Sequence, residues 1–313
     1  MSEHSALQKI NAKHTIPVFC QKWWLDIIAP NYDFVFAEKG DEITGLWAYQ
    51  TETKMGVKLM RTPLLTPYLG PVVFYPGDLK PAAADNFQHE VVGALYKKLP
   101  PVEVMNLNIA PEIVQVGLFK NNGLNCTARQ TFYIDLNQGE ETIFADFKES
   151  TRRNIKQGEK SISVLRDDSL LPLLFNFYEH TLTGKKGKSV HFDYNLMQRL
   201  YSACTENNAG CVWVAKSGDD VLAMIWQVWD KEKSYYLMGA KNNLQNENNA
   251  MPCLLWHAIK HAKTLGCTTF DFEGSMDPGV ERFFRTFGAT RKMYLQLTKN
   301  TSKVWKLKEL LRG

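Results

Sequence analysis

The chain reads as an α/β (α+β) protein built from two modules of one plan. Three observations predict it. Its 313 residues are about twice a typical domain of ~150. Period-two and helix-period hydrophobic segments alternate along most of the chain. The order hairpin, strand, long helix, strand, short helix, glycine, strand occurs once in each half.

In the first half, the alternating stretch Asp33–Gln50 around Glu38-Lys39-Gly40-Asp41-Glu42 predicts a hairpin. Pro63, Pro67 and Pro71 then force extended or looped backbone. Phe87, Val91, Ala94 and Leu95 recur at helical spacing between Pro81 and Leu99, and Pro100-Pro101 ends that helix. A strand over Val102–Ile109, a short helix opening at Pro111 and reaching Lys120, Gly123 and a strand over Thr131–Leu136 follow. Glu140–Lys160 reads as one amphipathic helix, and further helices are expected over Leu170–Thr181 and Tyr194–Thr205.

The second half has a hairpin over Val212–Val228, a strand over Ser234–Ala240 and a helix over Ala250–Leu265 closed by Gly266. A short strand spans Thr268–Glu273. A helix opening at Pro278, Gly288 and a strand over Lys292–Leu297 complete the order. The spacings differ by a few residues, so the halves share a plan and not a sequence repeat. The expected division is residues 1–145 and 146–313.

Composition narrows the function. Hydrophobic residues make up 44% and charged ones 22%, too apolar for a disordered chain. The last fifteen residues hold five basic side chains and one acid, leaving 32 basic and 32 acidic residues in the other 298. A neutral body disfavours DNA and extensive tRNA contact, since such surfaces show a basic excess across a domain. Six scattered cysteines without a C-x-x-C pair, together with the lack of a signal-like start or a long apolar run, predict a cytoplasmic protein with reduced thiols and no integral membrane association. The apolar and basic residues of the tail are expected to form a docked terminal helix with a wet side; contact with anionic lipid is the alternative.

Three stretches carry a family resemblance: STRRNIKQGEK (Ser150–Lys160), NNAMPCLLWHAIKHAKTLGCTTFDFEGS (Asn248–Ser275) and GVERFFRTFGATRKMYL (Gly279–Leu295). Together they resemble the FemAB-like and acetyltransferase-like proteins that carry two GNAT (N-acyltransferase) folds in tandem. The resemblance implies two GNAT-like units, each a mixed, mostly antiparallel sheet flanked by helices, with the active site in the second. It also implies acyl transfer to an amine on a small molecule or cell-wall precursor. The donor is acyl-CoA in most GNAT proteins and aminoacyl-tRNA in the Fem branch. One departure stands out: where the acyl-CoA loop is usually glycine-rich, this chain reads LQNENNAMP. Loss of the donor site would leave a non-catalytic binding protein. The neutral body favours acyl-CoA.

Acyl transfer to an amine needs a base, an oxyanion donor and a phosphate pocket. Asp271 and Glu273 are the candidate bases, because strand alternation would put both carboxylates on one face, where repulsion raises one pKa. Pairing of Glu273 with Arg282 or Arg285 is the structural alternative. Tyr235 and Tyr236 should point to opposite faces, with Tyr236 taken as the groove residue, and Gly239 could mark a bulge. Arg152 or Arg153 would hold phosphate, with Asn248, Asn249 and Ala250 at a helix N-terminus. Thr183–Ser189 lacks the first glycine of a phosphate loop and reads as a basic loop. His257 and His261 lack a third ligand, so no metal is expected.

Overall fold

The computed structural model describes residues 3–186, 189–244, 249–274 and 276–311. Two N-terminal helices, α1 (Glu3–Lys13) and α2 (Lys22–Ile28), precede the strands β1 (Tyr32–Lys39), β2 (Glu42–Lys54), β3 (Val57–Arg61) and β4 (Pro71–Val73). Then come α3 (Pro81–Lys98), β5 (Val104–Ile109), α4 (Val116–Asn121), β6 (Asn125–Asp135), α5 (Glu140–Asp146), α6 (Glu149–Gly158) and β7 (Ser163–Arg166). The remainder is α7 (Leu171–Lys186), α8 (Tyr194–Glu206), β8 (Gly210–Ser217), β9 (Asp220–Trp229), β10 (Lys233–Lys241), α9 (Ala250–Thr264), β11 (Thr269–Asp271), α10 (Pro278–Arg285), β12 (Thr290–Asn300) and α11 (Lys303–Leu310).

By spatial proximity the chain forms two compact units, one of Met1–Arg129 with Met293–Gly313, the other of Gln130–Lys292. The end of β12 and α11 thus return to the first unit. The sequential division after residue 145 is a proposal about how two modules follow one another along the chain.

In the first unit the strand order is β1-β2-β3-β5-β12, with β4 beside β2. Its parallel pair is β3 with β5, joined through α3. A core of Trp47, Met60, Val92, Leu95, Leu107, Ile109 and Phe119 lies between this sheet and its helices. In the second unit the order is β6-β11-β10-β9-β8-β7. Its parallel pair is β10 with β11, joined through α9. The other described pairings in both units are antiparallel. Each unit is therefore a mixed, mostly antiparallel sheet with one helix-linked parallel pair, as the repeated order predicts. A helix returns the chain to the same end of the sheet, so the strands it joins must run parallel.

The expected single helix over Glu140–Lys160 is two. Phe147 and Lys148 are extended (ψ 146 and 142). Phe147 inserts its ring between Trp256 and Phe287, at 5.3 and 5.1 Å, while Lys148 N–H donates to the Thr286 carbonyl at 2.8 Å. Burial of the aromatic ring and the bond to Thr286 offset the helical hydrogen bonds forgone at the break. The short helix expected from Pro111 starts only at Val116, and the basic stretch after Thr183 is helical as far as Lys186.

The turn after β11 depends on a glycine. Gly274 has φ +66, and a Cβ there would strike the Gln130 carbonyl oxygen and lie 2.7 Å from Thr131 Cα. Gly218, in the β8–β9 hairpin, has φ +59 but open space around it. Gly218→Ala is expected to cost about 1 kcal/mol, the left-handed penalty alone. Gly274→Ala should cost at least about 2 kcal/mol more, because the β6 backbone cannot yield. Urea unfolding of the two variants measures the difference.

Candidate active site

The site forms where two parallel strands part. β10 and β11 are in register at Lys233–Thr269, Ser234–Phe270 and Tyr235–Asp271. Beyond that point β10 continues to Lys241 alongside β9, with a bulge between Tyr236 and Met238. Phe272 N–H turns the other way, to the Phe132 carbonyl on β6 at 3.0 Å. The first unit closes the equivalent place. After Arg61 the chain comes back along β5, Leu69 N–H donates to the Asn108 carbonyl at 3.0 Å, and Gly70 lies so close that a Cβ would meet Ile109 Cδ1 at 2.6 Å. The gap past the parallel register is thus filled by residues 62–70 in the first unit, whereas in the second β10 and β11 take different partners there.

Asp271 and Glu273 occupy the end of β11, but not on one strand face. The strand ends at Asp271, and Glu273 is left-handed, with φ 57. Asp271 is fully buried. Its Oδ1 accepts from Thr131 Oγ1 at 2.5 Å and from the Glu273 N–H at 2.7 Å. These bonds anchor the turn and offset the cost of a left-handed non-glycine residue, about 1–2 kcal/mol. Glu273 shows some surface as a residue, yet its Oε1 is enclosed and has no hydrogen-bond partner. Burial pushes the Glu273 carboxyl well above the ordinary glutamate value, and the neighbouring Asp271 charge pushes it further the same way. Arg285 pairs with Glu281, at 3.9 Å.

Tyr235 is buried, and Tyr236 is partly buried against the core of the second unit, edge-on to Phe284 with centroids 5.8 Å apart. Burial raises the Tyr236 hydroxyl pKa, and the neighbouring Tyr178 and Glu273 raise it further. Tyr178, on α7, is raised by burial and then by Glu273. Linear reasoning missed it, because nothing in the sequence links a tyrosine on a distant amphipathic helix to this turn. The bulge lies at Leu237 and not at Gly239. Gly239 instead leaves room for the phenol: a Cβ there would strike the Tyr236 hydroxyl and lie 2.6 Å from its Cε2.

The other described sequence candidates have different partners. Arg152 is half-buried and donates to the Ala145 carbonyl, one of the last carbonyls of α5; Arg153 is exposed. The packing face of α6 is Thr151, Ile155 and Gly158, and a Cβ on Gly158 would lie 2.5 Å from Cys253 Sγ. Asn248 lies outside the described residues. Asn249 is the N-cap of α9, and Ala250 is buried in the core. Because the third residue of α9 is Pro252, and Cys253 N–H bonds to the Asn249 carbonyl, the helix start offers the N–H groups of Ala250 and Met251 to an anion.

His257 and His261 pack on Trp213, with centroids at 4.4 and 4.9 Å. His261 Nδ1 is 3.1 Å from Gln227 Oε1, and burial lowers its pKa to about 4. No group of three or more metal-ligating side chains occurs among the described residues. No helix among them is long and apolar enough to cross a membrane.

A raised carboxyl pKa carries a stability signature. Below the pKa of the unfolded chain both states hold the Glu273 proton and nothing is lost. As pH rises above it, the unfolded state ionises first and stability falls, by up to about 1.4 kcal/mol per pH unit. Glu273→Gln removes this term. The melting-temperature gain of Glu273→Gln over the parent is expected to grow as pH rises above the ordinary glutamate range and to level off once folded Glu273 ionises, and calorimetry across pH checks it.

Comparisons with known proteins agree with this architecture. Residues 145–285 match the family model for an acetyltransferase (GNAT) domain. A comparison with curated protein sequences found no match. Among solved structures, FemX is 13% identical, with 100% of this chain and 99% of that one covered and a TM-score of 0.67. L-PGS from Bacillus licheniformis is 12% identical, with coverages of 99% and 95% and a TM-score of 0.53. At such identities the likeness is one of fold. Residues 145–285 thus match the GNAT acetyltransferase domain model, and the fold of the chain is similar to that of FemX.

Proposed function

We propose that the protein is an N-acyltransferase whose chemistry lies where β10 and β11 part, with Glu273 as the base. The observation that carries this reading is the Glu273 Oε1, enclosed and without a hydrogen-bond partner, just past the end of the parallel register. An unpaired buried carboxyl destabilises a fold, so its presence there points to use. A raised pKa makes Glu273 a stronger base than a free carboxylate, suited to take a proton from an ammonium group. The freed nitrogen attacks the acyl carbon, a C–N bond forms, and the bond from that carbon to the leaving atom breaks.

Tyr236 and Tyr178 serve as hydrogen-bond donors. Their raised pKa values keep both hydroxyls protonated in the neutral range, able to stabilise the oxyanion or return a proton to the leaving atom. Asp271 is a positioning residue: its bond to the Glu273 N–H sets the left-handed turn. Coenzyme A thioester is the favoured donor, in line with the GNAT-domain match and the charge-neutral body. The acceptor is an amine on a small molecule or a cell-wall precursor.

A second reading, aminoacyl-tRNA as donor, draws support from the reduced phosphate clasp at α9, where Pro252 removes one N–H and the preceding segment lacks glycine. Separate melting experiments with acetyl-CoA, longer acyl-CoAs and charged tRNA distinguish the donors. A shift with none of them favours a binding protein that keeps the fold without the reaction.

With the donor that binds, Glu273→Gln is expected to lower kcat at least about 100-fold while leaving donor binding within about twofold. Equal turnover by parent and variant would sink the role of Glu273. Gly239→Ala displaces the Tyr236 hydroxyl without deleting it. It should lower kcat by about tenfold or more, close to the effect of Tyr236→Phe, and the double variant should be no worse than either. Steady-state kinetics on the three proteins decides this.

A further inference from the structure

The C-terminal helix α11 belongs to the first unit and is docked by a single side chain. Trp305, 5% exposed, packs on Val57, Leu59 and Val104. The Arg61 guanidinium and the Lys308 ammonium lie over its ring, at 4.9 and 4.0 Å from the centroid. The remaining apolar residues of the helix do not join it. Val304 is 49% exposed, Leu307 60%, Leu310 79% and Leu311 81%. Leu311 continues the helical ladder, its N–H donating to the Leu307 carbonyl at 3.1 Å.

At about 100° per residue, these four side chains fall within an arc of about 120° whose centre is about 160° from Trp305. Lys306 and Lys308 flank the arc, about 40° beyond each edge, and Lys303 falls within it in the first turn. A docked terminal helix facing only water would carry polar residues there. Here the anchored side is a tryptophan and the outward side is aliphatic. That inversion calls for a second apolar phase.

The flanking charge selects the phase. Protein interfaces are enriched in Tyr, Trp and Arg and depleted in Lys, whereas this face carries Leu, Val and Lys. A narrow aliphatic face bordered by lysines is the pattern of a helix lying in a lipid headgroup layer. Beside it is a cavity of about 440 Å³ whose lining includes Arg61, Lys299 and Lys308, the amides Asn106 and Asn300, and no carboxylate. It would accept the anionic groups that such a surface presents.

We propose that α11 is an interfacial helix through which the protein docks on an anionic phospholipid bilayer. Leu307, Leu310, Leu311 and Val304 enter the acyl boundary, Lys303 and Lys306 sit among the phosphates, and Lys308 stays with Arg61 beside Trp305 at the cavity. The proposal is independent of the reaction assigned to Glu273.

Co-sedimentation of the full chain with phosphatidylcholine vesicles, with and without phosphatidylglycerol, tests it. Partitioning is expected to rise at least about tenfold when phosphatidylglycerol is present and to weaken as salt is added. The exposed-site variant Leu307→Glu/Leu310→Glu should lose about tenfold or more of that binding with an unchanged circular-dichroism spectrum. Lys303→Glu/Lys306→Glu should lose the preference for phosphatidylglycerol. Failure of the parent to sediment with the anionic vesicles at low salt would overturn the proposal. So would undiminished binding by Leu307→Glu/Leu310→Glu. A dimer seen by light scattering and abolished by that variant would assign the face to a second copy of the chain instead.

Discussion

The geometry of the second unit hangs on one carboxylate. Asp271 Oδ1 gathers a hydroxyl from β6 and the N–H of the residue two positions ahead. With that anchor, the chain leaves β11 through two left-handed residues, Glu273 and Gly274, against the β6 backbone. Without it, the natural continuation of a strand would send Glu273 along the sheet. The same anchor puts a second acid beside the first in a dry place, and the ionised form of Glu273 is disfavoured by both burial and charge.

The two units show how one plan yields different surfaces. Both contain a helix-linked parallel pair of strands, and in both the strands diverge past their shared register. In the first unit, residues 62–70 fold back into the gap and Gly70 presses against Ile109. In the second, β10 bulges and runs on with β9 while β11 turns to β6. Tyr236 and Tyr178 lie near the Glu273 carboxyl there. What distinguishes the two places is the route of one connecting segment, which fold-level likeness does not specify.

Much of this was legible in the sequence. Hairpins around Gly40 and Gly218, the helix closed by Gly266 and the strand–helix–glycine order of each half are local patterns, and local patterns set local structure. The pairing of Glu273 with Tyr236 at one site follows from adjacent strands. The left-handed backbone at Glu273 was hidden, because alternation was extended one step past the strand's end; Gly274 was the available sign of a turn. The break at Phe147 was hidden because its cause, the pocket between Trp256 and Phe287, is distant in sequence. Arg152 reads as a phosphate ligand from its guanidinium and the family-like segment that holds it; in the structure it donates to the Ala145 carbonyl, a contact with no local signal. Tyr178 and the return of the chain's end to the first unit had no local signal at all.

The account turns on the state of one side chain. Observing the Glu273 carboxyl carbon by NMR in a carbon-13 glutamate-labelled sample, assigned by its absence in Glu273→Gln, would follow its proton directly. A titration midpoint well above that of the other glutamates is the predicted result. A midpoint at the ordinary glutamate value would show the carboxyl to be solvated or paired, and would contradict the assignment of this turn as the reactive centre.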